Sequence, residues 1–155
     1  MDRAAPDIVI KPFNELTLDE LYSLLALRSK VFVVEQSCVY QDIDGLDRDA
    51  LHVFIKRGDG SILACARICF FGDTAKIGRV IADERGLGHG MRVLTAAAEQ
   101  AKRLGARLIC VEAQQYAVGF YEKAGFRVAG EVFLEDGIPH VRMELPPAPD
   151  RVRRV

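Results

Sequence analysis

Three glycines alternate in the stretch Arg85–Gly90, where a strand pattern gives way to a helix pattern. The strand pattern is Ala75–Ala82, and the helix pattern begins at Met91, with apolar residues at helical spacing. Glycines let backbone N–H groups point into free space, and a following helix adds unpaired N–H groups and the positive end of its dipole. Such a junction binds phosphate oxygens, although a glycine-rich turn before an ordinary helix has the same pattern.

Two familiar nucleotide-binding patterns do not fit this loop. A Walker loop ends in Gly-Lys-Ser or Gly-Lys-Thr, whereas this one ends in Gly90-Met91-Arg92. A dinucleotide fingerprint would lack its third glycine, and it would follow three antiparallel strand patterns instead of alternating strands and helices. The residues therefore indicate an anion site of another kind.

A second group of polar residues lies in the stretch 34–50, which has no regular pattern and is expected to be a long loop. Asp42, Asp44 and Asp47 loosely resemble a calcium loop, but the twelve-residue pattern with a terminal Glu is absent. These carboxylates are expected either to cap turns or to face a cationic substrate. Arg67 alternates with apolar residues in mid-strand, so it faces solvent or belongs to a site.

The composition is that of a globular protein of one domain, with 155 residues, of which 50% are hydrophobic and 28% are charged. The formal net charge of -1 provides no field that would attract nucleic acid or an anionic membrane, so neither is an expected partner. We expect a single domain over residues 1–155, with 146–155 as a flexible tail because prolines precede a terminal basic cluster there.

Neither a bilayer-spanning stretch nor a signal-peptide core is present, so the expected location is cytoplasmic. The four cysteines include no Cys-x-x-Cys pair, and neither a zinc site nor any other metal site is expected. Three of them lie in strand patterns and one in the long loop, and all are expected to be buried free thiols: Cys65, Cys69, Cys110 and Cys38.

Periodicity predicts three helices and six or seven strands. The helices are expected at Leu18–Val33, after a capping box of Thr17 and Glu20, from the glycine loop to about Leu104, and at Tyr116–Lys123. The strands are expected at 7–13, 51–56, 61–71, 75–82, 107–113, 126–134 and 139–145. One strand-helix-strand unit implies a parallel crossover, and hairpins make the other pairs antiparallel. The predicted class is α+β with a mixed sheet.

The helix after the glycine loop is followed by a strand pattern and then by the short helix in which a second motif, Tyr121–Phe126, begins. Together these motifs resemble the GNAT superfamily of N-acetyltransferases, in which the loop Arg85–Gly90 corresponds to the pyrophosphate-binding motif. Three further stretches resemble the ElaA-type subfamily, so that the resemblance runs from about Leu21 to Leu145: Val31–Gln36, Tyr40–Gly45 and Glu135–His140. It implies a GNAT-like, mostly antiparallel sheet with helices on both faces.

The resemblance implies acetyl-CoA as the donor and a primary amine as the acceptor. Direct transfer in a ternary complex is expected because no cysteine lies in a motif that suggests an acetylated enzyme. The diphosphate of CoA would bind the loop and the start of the helix: Arg85, Gly86, Leu87, Gly88, His89, Gly90 and Met91. The pantetheine arm would pair with the strand residues Val80 and Ala82, and an N–H group near Val80 or Ile81 would polarise the thioester carbonyl. Phe120 belongs to the same site, as does Gln114, which stands where the family often has Asn.

Tyr121 matches the usual general acid of the family, which protonates the departing thiolate. An amine is mostly protonated at neutral pH, so a base or a chain of water molecules is also needed, and Glu35, Glu112 and His140 are the alternatives for a residue base. The acceptor side is expected to include Asp42, Asp44, Arg67 and Arg79, and the two arginines would favour an acceptor that carries a carboxylate or phosphate. His52 is expected to be structural or solvated.

Two other functions are also consistent with the glycine loop. One is a non-catalytic acyl-CoA-binding sensor or regulatory module, and the other is a phosphate-binding module unrelated to CoA. The acceptor stays open among polyamines, amino sugars, amino acids and protein amines. Because members of the superfamily often dimerise, a homodimer through the apolar strands near the end of the chain is a further expectation.

Overall fold

The computed structural model describes residues 6–38 and 40–146, and within them one sheet of eight strands is packed against three α-helices. The strands are β1 Ile8–Pro12, β2 Leu51–Lys56, β3 Ile62–Phe71, β4 Thr74–Ala82, β5 Leu108–Gln114, β6 Arg127–Val128, β7 Phe133–Glu135 and β8 Ile138–Leu145. The helices are α1 Leu18–Arg28, α2 His89–Arg103 and α3 Val118–Lys123. Apart from Pro146, the predicted flexible tail lies outside the described residues.

The sheet has the strand order β1-β2-β3-β4-β5-β8-β6, and β7 pairs with β8 beside β6. All neighbours are antiparallel except β4 and β5, which α2 connects. This confirms the predicted α+β class with one parallel crossover. The sheet has eight strands instead of six or seven because the predicted strand 126–134 is divided around Gly130, a residue that weakens strand pairing.

The first helix also differs from its prediction. It was expected to reach Val33, but α1 ends at Arg28 and continues as a π-helical segment, Ser29–Glu35. The N–H of Gln36 donates to the carbonyl oxygen of Val31 at 3.0 Å, which is the wider spacing of a π turn. Apolar periodicity continues through this segment and therefore did not reveal the change of hydrogen-bond pattern.

Two hydrophobic cores lie on opposite faces of the sheet, which confirms helices on both faces. Alternation along β2 divides its residues between them, because Val53 and Ile55 face α2 while Phe54 faces α1. The larger core includes Ile68, Ile77, Val93, Leu94, Ala97, Ala101, Val111 and Met143, and the smaller one includes Leu24, Leu27, Val31, Phe32, Cys65 and Ile81. The buried residues of the smaller core come from α1, the π-helical segment, the long loop and β2–β4, whereas the same face of β5 and β8 borders a cavity.

The cysteines are buried free thiols, as predicted: Cys38, Cys65, Cys69 and Cys110.

The exposed apolar residues Val128 and Leu134 lie on β6 and β7. A homodimer through these strands stays a prediction. Within residues 6–38 and 40–146, no helix combines the length and the apolar character needed to cross a membrane.

The predicted capping box at the start of α1 is present. The N–H of Glu20 donates to Thr17 Oγ1 at 3.0 Å, and the N–H of Thr17 donates to Glu20 Oε1 at 2.9 Å. Lys11 and Lys56 each hydrogen-bond the same buried carboxylate, which ties the helix to β1 and β2. Burial works against the charged form, but these hydrogen bonds lower the pKa of Glu20 to about 2.

We expect Thr17→Ala to lower the free energy of unfolding by about 1 kcal/mol, because it removes the acceptor for a helix N–H group. Urea denaturation at neutral pH measures the change. Thr17→Ser keeps the oxygen and serves as the matched control. Equal stability of the two variants would contradict the role of the cap.

Candidate active site

The parallel strands β4 and β5 pair only over their first residues. Four pairs join them, from Thr74–Leu108 to Ile77–Val111, and beyond that point the strands separate. Within the described part of the chain, no strand pairs with residues 78–82 on the side of β4 that faces β5. Backbone N–H and C=O groups along this opening are therefore available to a bound molecule.

A β-bulge lies on β4 next to the point of separation. Arg67 of β3 is opposite Gly78, while Cys65 is opposite Ile81, so β4 carries one more residue than β3 between these pairs. The extra residue bends the strand and strengthens its local twist. Arg79 within the bulge has a φ of 51°, a left-handed conformation that is unfavourable for a residue with a side chain.

The glycine loop lies between the end of β4 and α2, as predicted. Gly86 and Gly88 have φ values of 83° and 80°, and α2 begins at His89. Nothing lies within 4 Å of the position that a Cβ would take on either glycine, so open space borders the loop. The Phe120 ring lies beside Gly90, where a Cβ would be 3.6 Å from its Cζ. The loop and α3 are thus adjacent in the fold.

Other predicted loop residues differ in their exposure. Arg85 and Leu87 are exposed, whereas His89 and Met91 are partly buried. His89 Nδ1 is buried and has no hydrogen-bond partner among the described atoms.

A cavity of about 470 Å³ lies on the accessible face of the sheet and extends into the opening between β4 and β5. It brings together predicted residues from β4, β5, α3 and β8, namely Val80, Glu112, Gln114, Tyr121 and His140. Other lining residues include Phe32 in the π-helical segment, Gln36, Tyr40 and Asp44 in the long loop, Arg79 in β4, and Glu135, Asp136 and Ile138 where β7 turns into β8. Glu35 is exposed and does not line this cavity.

Tyr121 lies on α3 with its ring between two other aromatic rings. Phe120 and Phe126 make edge-on contacts with it, at centroid distances of 5.2 and 6.0 Å. Burial, together with a smaller effect of Tyr116, raises the pKa of Tyr121 to about 12. The hydroxyl is therefore protonated at neutral pH and can donate a proton to a group in the cavity.

The candidate bases that line the cavity have different partners. Glu112 Oε1 is 2.8 Å from Lys76 Nζ, so this carboxylate is held in an ion pair. His140 is 8% exposed, and its Nδ1 is 2.7 Å from the carbonyl oxygen of Ile138. Its Nε2 is 4.0 Å from Glu135 Oε2.

Three arginines and three aspartates form a network beside the cavity. Arg28 on α1 binds Asp47 with two hydrogen bonds, of 2.6 and 3.2 Å, and binds Asp42 through Nε at 2.9 Å. Arg67 on β3 binds Asp44 with two hydrogen bonds, of 2.6 and 2.9 Å, and binds Asp47 at 3.0 Å. The network fastens the long loop to α1 and to the centre of the sheet.

Arg79, the bulge residue, belongs to the same network. Its Nε donates to Asp42 Oδ1 at 2.7 Å, and its guanidinium also lies over the rings of Phe32 and Tyr40, at 5.8 and 5.3 Å. Charge-assisted hydrogen bonds and cation–π contacts thus hold a side chain whose backbone is unfavourable. These interactions stabilise the bulge.

This network corrects the expectation for the acceptor side. Arg67 and Arg79 were expected to favour an anionic acceptor, but aspartates of the long loop already pair with both guanidiniums. The aspartates were expected to cap turns or to face a cationic substrate. Asp44 does cap a turn, since it accepts the N–H of Leu46 at 3.0 Å, but the arginines are its main partners.

One signal in the sequence pointed to the network. Arg28 follows the apolar period of the first helix, and Arg67 alternates with apolar residues in a strand, so both were candidates for burial. A buried arginine needs a carboxylate partner, and the long loop contains three within six residues. His52 is also buried against this region, and its Nε2 is 2.8 Å from the carbonyl oxygen of Asp47.

A family model and sequence relatives among known proteins both match most of this chain. Residues 24–146 match the family model described as the acetyltransferase (GNAT) domain. The chain is 38% identical over 144 residues to a UPF0039 protein of Schizosaccharomyces pombe, covering 90% of this chain and 96% of that protein. It is 40% identical over 138 residues to the protein ElaA of Escherichia coli, covering 84% and 90% of the two chains.

Solved structures give the same result. A crystal structure of an acyl-CoA N-acyltransferase from Pseudomonas aeruginosa matches with a TM-score of 0.82 and 39% identity, over 90% of this chain and 99% of that one. The crystal structure of Escherichia coli ElaA matches with a TM-score of 0.83 and 36% identity, over the same shares of the two chains. Both are similar in fold and sequence along nearly the whole chain.

We expect Asp47→Asn to lower the free energy of unfolding by about 3 kcal/mol, because it leaves two buried guanidiniums without their shared carboxylate. Urea denaturation at pH 7 measures the loss. Asp49→Asn, in the same 3₁₀ turn but exposed, is the matched control and should be nearly neutral. A similar small effect of both variants would show that the network contributes little to stability.

The same pair of variants can be compared in acid. Burial opposes the charged form of Asp47, but hydrogen bonds and charges of Arg28 and Arg67 lower its pKa overall. Its stabilising contribution is therefore complete above the ordinary aspartate pKa of about 3.9 and is lost as the pH falls below that value. The stability of Asp47→Asn should consequently depend less steeply on pH in this range than that of Asp49→Asn.

Proposed function

The chain belongs to the GNAT family of acetyltransferases, and we propose from that premise that it transfers an acetyl group from acetyl-CoA directly to a primary amine. The observation that carries the proposal is the opening between β4 and β5, which lies beside a glycine loop at the N-terminus of α2. An extended donor with a diphosphate at one end needs an open strand edge for its arm and, next to that edge, N–H donors for its phosphates. The residues present fit such a donor.

The diphosphate end would bind the backbone N–H groups of Leu87–Met91. The left-handed conformations of Gly86 and Gly88 shape the loop, and the open space beside them allows close approach of phosphate oxygens. A helix dipole contributes only about 0.3–1 kcal/mol to binding an exposed charge. Several N–H donors acting together must therefore supply most of the recognition, with Arg85 adding positive charge.

The pantetheine arm would occupy the opening between the two strands. Backbone groups of Val80 and Ala82 would hydrogen-bond it as a neighbouring strand would, and Gln114 at the end of β5 lines the same cavity. An N–H group near Val80 or Ile81 would donate to the thioester oxygen, where negative charge develops as the amine attacks. The bulge at Arg79 adjoins this donor.

Tyr121 would protonate the thiolate as it leaves. Its pKa of about 12 keeps the proton available at neutral pH, and its ring is oriented by Phe120 and Phe126. A thiol nucleophile is a poor alternative to direct transfer, because burial raises the pKa of the Cys65 thiol to about 12 and also raises that of Cys69. These observations support transfer without an acetylated cysteine.

We expect Tyr121→Phe to lower kcat about 10²- to 10⁴-fold without weakening the binding of acetyl-CoA, because only the proton donor is lost. Release of free thiol with a panel of primary amines measures turnover, and calorimetry measures acetyl-CoA binding. Tyr22→Phe removes an exposed hydroxyl on α1 and is the control.

The same assays distinguish the alternatives. Binding of acetyl-CoA without thiol release by the wild-type protein, with any amine, would favour a sensor or regulatory module. Absence of acetyl-CoA binding would favour a phosphate-binding module and reject both CoA-dependent functions.

We expect Gly88→Ala to raise the KM for acetyl-CoA about tenfold or more, because its Cβ would enter the space proposed for the diphosphate and its φ of 80° disfavours a side chain. Gly60→Ala is the matched control. Gly60 has a φ of 90° and equally open surroundings, but lies in the turn between β2 and β3. Both variants should lose similar stability, and only Gly88→Ala should affect acetyl-CoA. An equal KM in the two variants would reject the loop as the diphosphate site.

A further inference from the structure

We infer that His140 is the general base of the acyl transfer and that it accepts the proton of the acceptor amine through Nε2. This inference rests on the proposed function and selects one of three residue candidates that the sequence left open. It depends on how the ring is held, on what lies around Nε2, and on where the other candidates are placed.

The hydrogen bond at Nδ1 determines the tautomer of the ring. Nδ1 lies 2.7 Å from the carbonyl oxygen of Ile138, and a carbonyl oxygen can only accept. Nδ1 must therefore carry the hydrogen, and in the neutral ring the lone pair is on Nε2. The ring is thus held with its basic nitrogen available on the other side.

The surroundings of the ring orient it and place a carboxylate near Nε2. Phe133 of β7 stacks on the imidazole at a centroid distance of 5.9 Å and an interplanar angle of 23°, which restricts the ring. Glu135 Oε2 is 4.0 Å from Nε2, too far for a direct hydrogen bond to the neutral ring. Glu135 therefore does not occupy Nε2 as a hydrogen-bond partner.

The position of His140 in the sheet suits an acceptor that approaches the opening. His140 on β8 is directly opposite Gln114 on β5, so both side chains leave the same face of the sheet. Only β5 lies between β8 and the bulge on β4, and because β4 and β5 are no longer paired there, the separation is at least the roughly 10 Å of two paired-strand spacings. That distance leaves room for the imidazole and for an amine next to the thioester carbonyl.

The other two candidates are placed less suitably. Glu112 lines the cavity but is bound to Lys76 at 2.8 Å. Glu35 is exposed at the end of the π-helical segment and lies outside the lining of the cavity. An imidazole is also a better base than a carboxylate for this step, because its ordinary pKa is closer to neutral pH.

The proposed step is balanced in protons and bonds. The ammonium form of the acceptor gives one proton to His140 Nε2, and the free amine then forms a bond to the carbonyl carbon of the thioester. The carbon–sulfur bond breaks as Tyr121 gives its proton to the thiolate, and the second proton of the attacking nitrogen restores the tyrosine hydroxyl. His140 returns its proton to solvent, so the products are an amide, a free thiol and one proton.

Kinetics with two acceptors test this role in the full-length protein. The acceptors are the alkylamine that the wild-type protein uses best and hydroxylamine, which is already unprotonated at neutral pH. His140→Asn can keep a donor near the carbonyl of Ile138 but has no titratable nitrogen. We expect it to lower kcat for the alkylamine about 100-fold or more, and to change turnover of hydroxylamine by only a few fold. The KM for acetyl-CoA should be unchanged.

A matched variant separates this effect from a loss of structure. His52→Asn also removes a buried histidine that bonds the main chain, but His52 does not line the cavity. It should preserve the ratio of rates for the two acceptors even if it lowers stability. An equal loss with both acceptors in His140→Asn, or no loss with either, overturns the inference while leaving the proposed function intact.

Nitrogen NMR of the ring tests the inference without relying on activity. The signals of His140, assigned by their absence in His140→Asn, should show hydrogen on Nδ1 in the neutral ring. Hydrogen on Nε2 instead overturns the inference whatever the enzyme does. Failure of the wild-type protein to acetylate any amine, despite the expected tautomer, overturns the proposed function and the role of His140 with it.

Discussion

The separation of β4 from β5 after Ile77 and Val111 is the constraint on which the rest of the site depends. Backbone groups without a partner cost about as much free energy as a lost hydrogen bond when they are kept from water. An opening inside a sheet therefore persists only where water or a ligand can enter and where the strands are held apart. Here the bulge at Arg79 redirects β4 just after the last pair, and the cavity extends into the resulting space.

The bulge in turn depends on a network of buried charged side chains. Arg28 and Arg67 are almost fully buried, and burying a guanidinium is costly unless carboxylates satisfy it. Asp42 connects Arg28 to Arg79, so the same network that fastens the long loop also holds the bulge residue. The stability of the loop and the shape of the opening are thereby coupled.

The two residues proposed to transfer protons come from different elements of the fold. Tyr121 comes from α3, immediately after β5, and its burial among aromatic rings keeps it protonated. His140 comes from β8, where a main-chain carbonyl determines which nitrogen is free. The proposed acid and base thus come from α3 and β8, and both line the cavity that extends into the opening between β4 and β5. In this proposal, donor recognition is local to the loop and β4, whereas the acceptor chemistry needs β8 and its hairpin.

Most of the helices and strands were predictable from the sequence, because capping boxes, tight turns and apolar periods depend on residues close together in the chain. Thr17 with Glu20, and the glycines before α2, are of this kind, and the family motifs are equally local. The π-helical segment after Arg28 was missed because it does not change the apolar pattern, and the division of the strand 126–134 was missed although Gly130 marks its place. The sequence by itself determined the fold class, the family and the glycine junction. Only the tertiary structure decided that Arg79 pairs with Asp42, 37 residues away, and that His140 rather than Glu35 lines the cavity. Such contacts depend on how distant elements pack, and no short stretch of sequence encodes them.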